Sequence, residues 1–233
     1  ALNIYALDCT SRRTAAFAAC PQVGAVLDAT DLSRVGRLFA LLDGLLTERQ
    51  TRLQGGNYAQ YVAAHDVRGC PAVLLVVEDI AAFRERTACA YDDALLRLAR
   101  EGAACGIYLF VTGSGFGMQD IPARLADALR TVLVLELPDR ARYGETLRCR
   151  MPQGLPTEAA PGRGLTVLGG RVVEFQTALA ADAPDDYARA DALRRESEAL
   201  RTAWPGRPAR RVPGIPTAPT WRDLTAHEDY AAI

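Results

Sequence analysis

Lysine is missing altogether: every one of the 27 basic residues is an arginine. A Walker A loop places a lysine amine on nucleotide phosphates, and Schiff-base or pyridoxal phosphate chemistry also requires a lysine. Neither can be furnished by these 233 residues. An Ala- and Arg-rich composition is also what genomic base composition produces, so the arginine excess by itself argues for no function. Histidine is nearly as scarce. His65 and His227 stand in no acid and nucleophile pattern that would make a triad. Cys9, Cys20, Cys70, Cys89, Cys105 and Cys149 are scattered without a CxxC pair, which argues against a zinc site or disulfide framework and for reduced cytosolic thiols. No apolar segment approaches the roughly 20 residues that span a bilayer, and the first residues carry no signal-peptide pattern. A soluble chain is expected. A net charge of −1 and a pI of about 6.2 offer nothing to a general nucleic-acid or membrane-surface partner. What is present is globular: 49% apolar against 24% charged residues, at a length that suits one large α/β domain with or without an appended arm.

The most informative stretch runs from Pro71 to Phe83. Val73 to Val77 are five consecutive apolar residues, rich in β-branched side chains and ended by Glu78 and Asp79, which reads as a strand buried on both faces. Leu2 to Leu7 reads as a strand ending at Asp8, and Gly106 to Thr112 and Thr131 to Leu137 as two more. Between them, helical spacing of apolar residues runs from Asp31 to Arg49, with Asp31 or Thr30 as cap, and again from Tyr91 to Glu101. A shorter helix is expected over Asn57 to Ala64. Alternation of strands and helices implies a parallel sheet with covered faces. Beyond Pro138 the pattern changes. Gly162 to Phe175 reads as a hairpin across Gly169-Gly170, and Asp185 to Trp204 as a polar helix. Prolines 205, 208, 213, 216 and 219 then fit an extended linker. The expected division is a core over 1–180 and a helix with linker over 181–233.

In open α/β sheets ligands bind at the carboxyl ends of strands, so Asp8, Glu78 with Asp79, Thr112 and the loop after Leu137 are expected to converge. The paired acids sit as the Walker B acids of P-loop NTPases do, where one helps hold Mg²⁺ and its neighbour orients water. A buried strand stopping at two solvated acids gives the same pattern. Thr112 stands where a polar sensor follows the neighbouring strand, and a hydroxyl capping the following loop would look alike. Gly113-Ser114-Gly115-Phe116-Gly117 is neither GxGxxG nor GxxxxGK[ST] and reads as a loop rather than a phosphate cradle. Arg163, bracketed by glycines in Pro-Gly-Arg-Gly, could neutralise a phosphate across a subunit boundary or stand solvated on the hairpin.

Taken in order, Ile-Tyr-Ala-Leu-Asp (4–8), Pro-Gln-Val-Gly-Ala-Val (21–26), Val-Val-Glu-Asp-Ile-Ala-Ala-Phe-Arg-Glu (76–85), Gly-Ile-Tyr-Leu-Phe-Val-Thr (106–112), Pro-Gly-Arg-Gly-Leu (161–165) and Glu-Phe-Gln-Thr-Ala-Leu (174–179) resemble the FtsK/SpoIIIE-type ATPase modules of the type VII secretion motor, the EccC/EssC family. The resemblance implies a RecA-like P-loop NTPase core, truncated at its N-terminus, with a β-hairpin and a C-terminal helix and linker. It implies tandem modules on the cytoplasmic side of the bacterial membrane, anchored through other parts of the protein. ATP and Mg²⁺ are the family's ligands, held weakly or not at all by this chain, with Glu78 as the metal ligand where nucleotide binds. The implied partners are neighbouring modules and small helical secreted proteins of the WXG100 type, with no nucleic acid. The family's strand and Walker A loop would precede Ala1, and that strand would sit between Gly106–Thr112 and Thr131–Leu137. Glu78 occupies the Walker B aspartate position, and Gly-Ser-Gly follows Thr112 where an Arg often stands. These departures imply a degenerate module used for docking and regulation. Two alternatives remain at this level: the back half of an active ATPase, and a DNA translocase module.

Overall fold

The computed structural model describes residues 1–10, 12–115, 120–139, 141–151, 160–212 and 220–225. Four parallel strands form the main sheet: β1 (Leu2–Asp8), β2 (Val23–Asp28), β3 (Ala72–Val77) and β4 (Ile107–Val111), in the order β2-β1-β3-β4. The run of β-branched residues at 73–77 occupies an inner position, where such side chains pack well on a pleated surface. Its register sets Leu7 beside Val77 and Val77 beside Val111, so the three strands end level with one another.

Helix α1 (Leu32–Leu53) begins where the Asp31 carboxylate accepts from the Arg34 amide at 3.1 Å, a side-chain cap for an otherwise orphan donor. Its buried stripe of Val35, Leu38, Phe39, Leu42 and Leu46 joins Leu75, Val77, Ile80 and Phe83 in one core. α2 (Tyr58–Ala64) starts with a reciprocal capping box between Asn57 and Gln60. α3 (Ile80–Arg86) follows β3, and α4 (Asp92–Arg97) continues through a π-helical turn at Leu98–Gly102 before β4. α2 and α4 with its continuation lie within two residues of the expected bounds, α1 runs on to Leu53, and α3 had no expected bounds.

The lower end of the sheet is closed by Arg49, 4% exposed although charged. Its Nη1 donates to the carbonyls of Cys105 (2.9 Å) and Gly106 (3.1 Å), and Nη2 to that of Pro71 (2.5 Å). One side chain thereby fastens the entries of β3 and β4.

Beyond the parallel sheet, Ile121 and Leu125 still belong to its core, whereas Val134, Leu147 and Leu165 form a second, smaller cluster. α5 (Ala123–Ala128) precedes β5, which spans only Leu133–Val134 where a strand over Thr131–Leu137 was expected. β5 pairs antiparallel with β6 (Arg163–Leu168) and not with β4. The expected hairpin is there, β6 with β7 (Arg171–Gln176), turning on Gly169 and Gly170. α6 (Ala141–Leu147) packs beside β5, its Leu147 buried with Val134 and Leu165. Among the described residues no strand pairs with the outer side of β4. Tyr108 (43%) and Phe110 (45%) are exposed along it, as are Leu133 (51%) and Leu135 (50%) at β5. A groove of about 550 Å³ runs between Tyr108 and Thr131. The sheet has not closed over the position expected for the further strand.

α7 (Asp186–Ala203) lies against the short turn at Arg13–Phe17. The chain then doubles back: the Ala209 amide donates to the Pro21 carbonyl at 2.8 Å and the Tyr5 hydroxyl to the Arg210 carbonyl at 2.8 Å. Ala209 and Val212 are buried. Gly24 makes this possible, because a Cβ there would fall 2.4 Å from Tyr5 Cε1 and 2.5 Å from the Arg210 oxygen. The segment read as a linker is thus, as far as Val212, laid on the core. α8 (Trp221–Thr225) is the last described element.

Candidate functional site at the carboxyl ends of the strands

Because β1, β3 and β4 end level, Asp8, Glu78, Asp79 and Thr112 emerge side by side. Each is engaged. Asp8, buried at 7% exposure, accepts from the Thr14 hydroxyl and from the Arg12 amide at 2.9 Å. Burial pushes its carboxyl upward, but hydrogen bonding with Thr14 and Glu78 and with the Arg12 and Thr14 amides outweighs that and holds it below the usual carboxylate range. Glu78 accepts from the Cys9 amide at 3.3 Å beside Asp8. Cys9 beside them is pushed up to about 12, by burial first and by Glu78, Asp79 and Asp8 further, with Arg86 opposing. Its thiol stays protonated at neutral pH and is no nucleophile.

Asp79 adopts φ +53° at the N-cap of α3, its carboxylate accepting from the Ala82 amide at 3.1 Å. Asp tolerates this left-handed conformation better than most residues. Thr112 is turned toward the same loop: its Oγ1 accepts from the Asp79 amide at 3.1 Å and its carbonyl from the Ile80 amide at 2.8 Å. Thr112 and Asp79 form one clasp between the ends of β3 and β4. The bonds that this threonine makes here are the capping ones.

A divalent cation needs several converging oxygen ligands. With Asp79 directed to a helix cap and Glu78 to Asp8 and Cys9, the described residues do not fit one, and among them no group of three or more His, Cys, Asp or Glu could hold a metal ion. The remaining candidates lie elsewhere. Arg163 stands on β6 and pairs with Glu174 of β7 at 3.3 Å. Leu137 lies beyond the end of β5, its amide donating to the Tyr143 hydroxyl at 2.9 Å, so this loop follows no strand of the parallel sheet. Of the Gly-Ser-Gly loop, Phe116 and Gly117 lie outside the described residues. A Cβ at Gly115 would sit 2.8 Å from Asp120 Oδ2 and 3.4 Å from Arg142 Nη2, so α6 approaches the loop that follows Thr112. Sequence reasoning missed Arg142, Thr14 and Arg12, for none lies near a strand-end acid in a spacing that announces it. Asp8 four residues before Arg12 was the only available hint.

A parallel α/β core with carboxylates at its strand ends is shared with solved ATPase domains. The ATPase 2 and 3 portion of EssC from Geobacillus thermodenitrificans superposes with a TM-score of 0.78 at 18% identity, covering 97% of this chain and 42% of that one. The corresponding portion of EccC from Thermomonospora curvata, in complex with a signal sequence peptide, gives 0.73 at 24% identity over 96% of this chain and 40% of that one. The ESX secretion system protein EccC of the same organism is 27% identical over 96% of this chain. No family model matches. Over nearly its whole length the chain is thus similar to EccC and EssC, and it shares the fold of their ATPase domains. It spans 16% of the length of the curated relative. Among the described residues no helix is long and apolar enough to cross a membrane.

Proposed function

We propose that this chain is a degenerate or partial ATPase module of a type VII secretion motor, serving in docking of substrate or neighbouring modules and in regulation of protein export. The observation that carries the reading is the commitment of Glu78 and Asp79. The acids that would hold Mg²⁺ and orient water are bound instead to Asp8, the Cys9 amide and the Ala82 amide, in a chain with no lysine. Such a site supports the fold and leaves the module's surface as its means of action. Its partners would be adjacent modules of the same polypeptide and a small helical secreted protein of the WXG100 type. Its place would be the cytoplasmic face of the membrane, reached through other parts of the protein.

A second reading, the C-terminal part of an active module whose Walker A lies upstream, is favoured by the unpaired side of β4. Tyr108 and Phe110 exposed on this strand, with Tyr108 lining a groove of about 550 Å³, suit one further parallel strand. Calorimetric titration with ATP·Mg²⁺ separates the two, made on this chain and on a version extended upstream by roughly 60 residues, the length of a P-loop and helix unit. Binding by neither supports the degenerate module. Tight binding by the extended form alone, with turnover lost on Glu78→Ala, would replace the first reading by the second.

A further inference from the structure

Between the outer face of α1 and the returning segment at Arg210–Val212 lies a groove of about 460 Å³. Its floor is Leu41, Gly44 and Leu45, and a Cβ at Gly44 would meet no atom within 4 Å, so the floor is open above the helix. Arg37, Arg210 and Arg211 line it, against one acid, Glu48. Positions 37, 41, 44, 45 and 48 form a single stripe on the helix, about 16 Å long at 1.5 Å per residue. Two guanidinium nitrogens here lack acceptors: Arg37 Nε and, one turn earlier, Arg34 Nε are shielded from solvent with no hydrogen-bond partner among the described residues. Buried donors are nearly always satisfied in native proteins, and an unsatisfied one asks for a missing ion, water or partner. The Arg34 Nη2 reaches the Val212 carbonyl at 3.5 Å, which ties the returning segment to the first turn of α1.

We infer that this groove binds an acidic amphipathic helix, its apolar face on Leu41 and Leu45 and its carboxylates on Arg37 and Arg211. The inference rests on the docking reading above and names its surface. A stripe three turns long suits a helix laid along α1, the close approach over Gly44 suits a backbone rather than a bulky head group, and the excess of arginine selects carboxylates.

The test is fluorescence anisotropy on the full chain with a labelled helical peptide of about 16 residues, made of Leu, Ala and Glu, and its counterpart with every Glu replaced by Gln. The acidic peptide should bind at least about tenfold more tightly than the Gln form, since hydrogen bonds to charged groups carry that discrimination. Arg37→Gln and Arg211→Gln should each weaken it by about tenfold, and Leu41→Ser should weaken both peptides alike. Arg37 and Arg211 line an open groove, so their variants should keep the melting temperature, whereas Leu41 also packs on the core and Leu41→Ser is read at a temperature where its own melting curve shows it folded. Equal binding of the two peptides, indifference to the arginine substitutions, or binding only to phosphatidylglycerol vesicles would overturn the inference. If an adjacent module binds but the arginine variants leave it unaffected, the surface is wrong and the docking reading survives. If the acidic peptide binds through Arg37 while neither module nor secreted protein does, the surface stands and the docking reading falls.

Discussion

Helix α1 carries arginines near its two ends that meet opposite fates. Arg49, in the last turns, is buried against the bottom of the sheet with three backbone carbonyls about its guanidinium and the Tyr58 ring 5.7 Å from its Cζ. Arg34 and Arg37, in the first turns, have shielded Nε groups that find no acceptor among the described residues. The fold supplies everything Arg49 needs. It leaves Arg34 and Arg37 incomplete. The difference separates an arginine that builds the domain from arginines that wait for something outside it, and a residue count cannot make that distinction in a chain with 27 basic residues, all arginine.

The largest test of this contrast is Arg49→Met. It retains apolar bulk but strands the carbonyls of Pro71 and Cys105, while that of Gly106 keeps the Val73 amide; each stranded carbonyl is worth about 1 to 3 kcal/mol when buried without a donor. A loss of about 3 kcal/mol or more in urea unfolding is expected. A loss below about 1 kcal/mol would mean that water reaches those carbonyls and that Arg49 is no more structural than Arg37.

Next in size comes Asp8. Its carboxylate is held below the ordinary range by Thr14, Glu78 and two amides against the upward push of burial. A depressed acid stabilises the fold above its unfolded value of about 3.9, and that stability is lost as pH falls through the folded value. Asp8→Asn should cost about 1.5 kcal/mol at pH 7, the value of a hydrogen bond to a charged group, and should flatten the acid limb of the stability profile. An unchanged limb would transfer the acid sensitivity to other carboxylates.

How far these features could be read beforehand differs by element. The strand at 73–77 and the helix from Asp31 were legible, because five successive apolar residues and a 3.6-residue stripe leave few alternatives. The strand at Val23–Asp28 was not named as one, since Gly24 and Ala25 dilute its pattern; Gly24 is there to admit Tyr5 and the Arg210 carbonyl, a contact about 200 residues away in sequence. β5 shrank to two residues because its pairing is with β6 and not with the parallel sheet. At the site, the convergence of Asp8, Glu78, Asp79 and Thr112 followed from strand order, but their consumption by Thr14, Cys9, Ala82 and one another depends on side-chain direction. No spacing encodes that.

Asp79 allows a finer comparison within the clasp. As cap of α3 at φ +53°, it should lose about 1 kcal/mol on change to Ala, which has neither the acceptor nor the tolerance for that conformation. Asp79→Gly should cost only a few tenths, because glycine accepts the backbone and is itself a fair cap. Equal penalties for the two would show that backbone conformation plays no part. If either raised ATP·Mg²⁺ affinity, the cap would be competing with a nucleotide role.

The smallest expected effect returns to α1. Arg37→Met removes a guanidinium whose Nε has no partner and lays an apolar chain beside Leu41. Replacing a poorly satisfied polar group by an apolar one of similar length is often neutral or slightly stabilising, so the isolated chain should change by no more than about 0.5 kcal/mol. The same measurement that reports a loss of 3 kcal/mol or more for Arg49→Met should thus barely register Arg37→Met. A large loss at Arg37 would give it a structural acceptor and remove the motive for an external partner. A neutral result leaves an arginine retained at no benefit to folding, which is the pattern a binding residue shows.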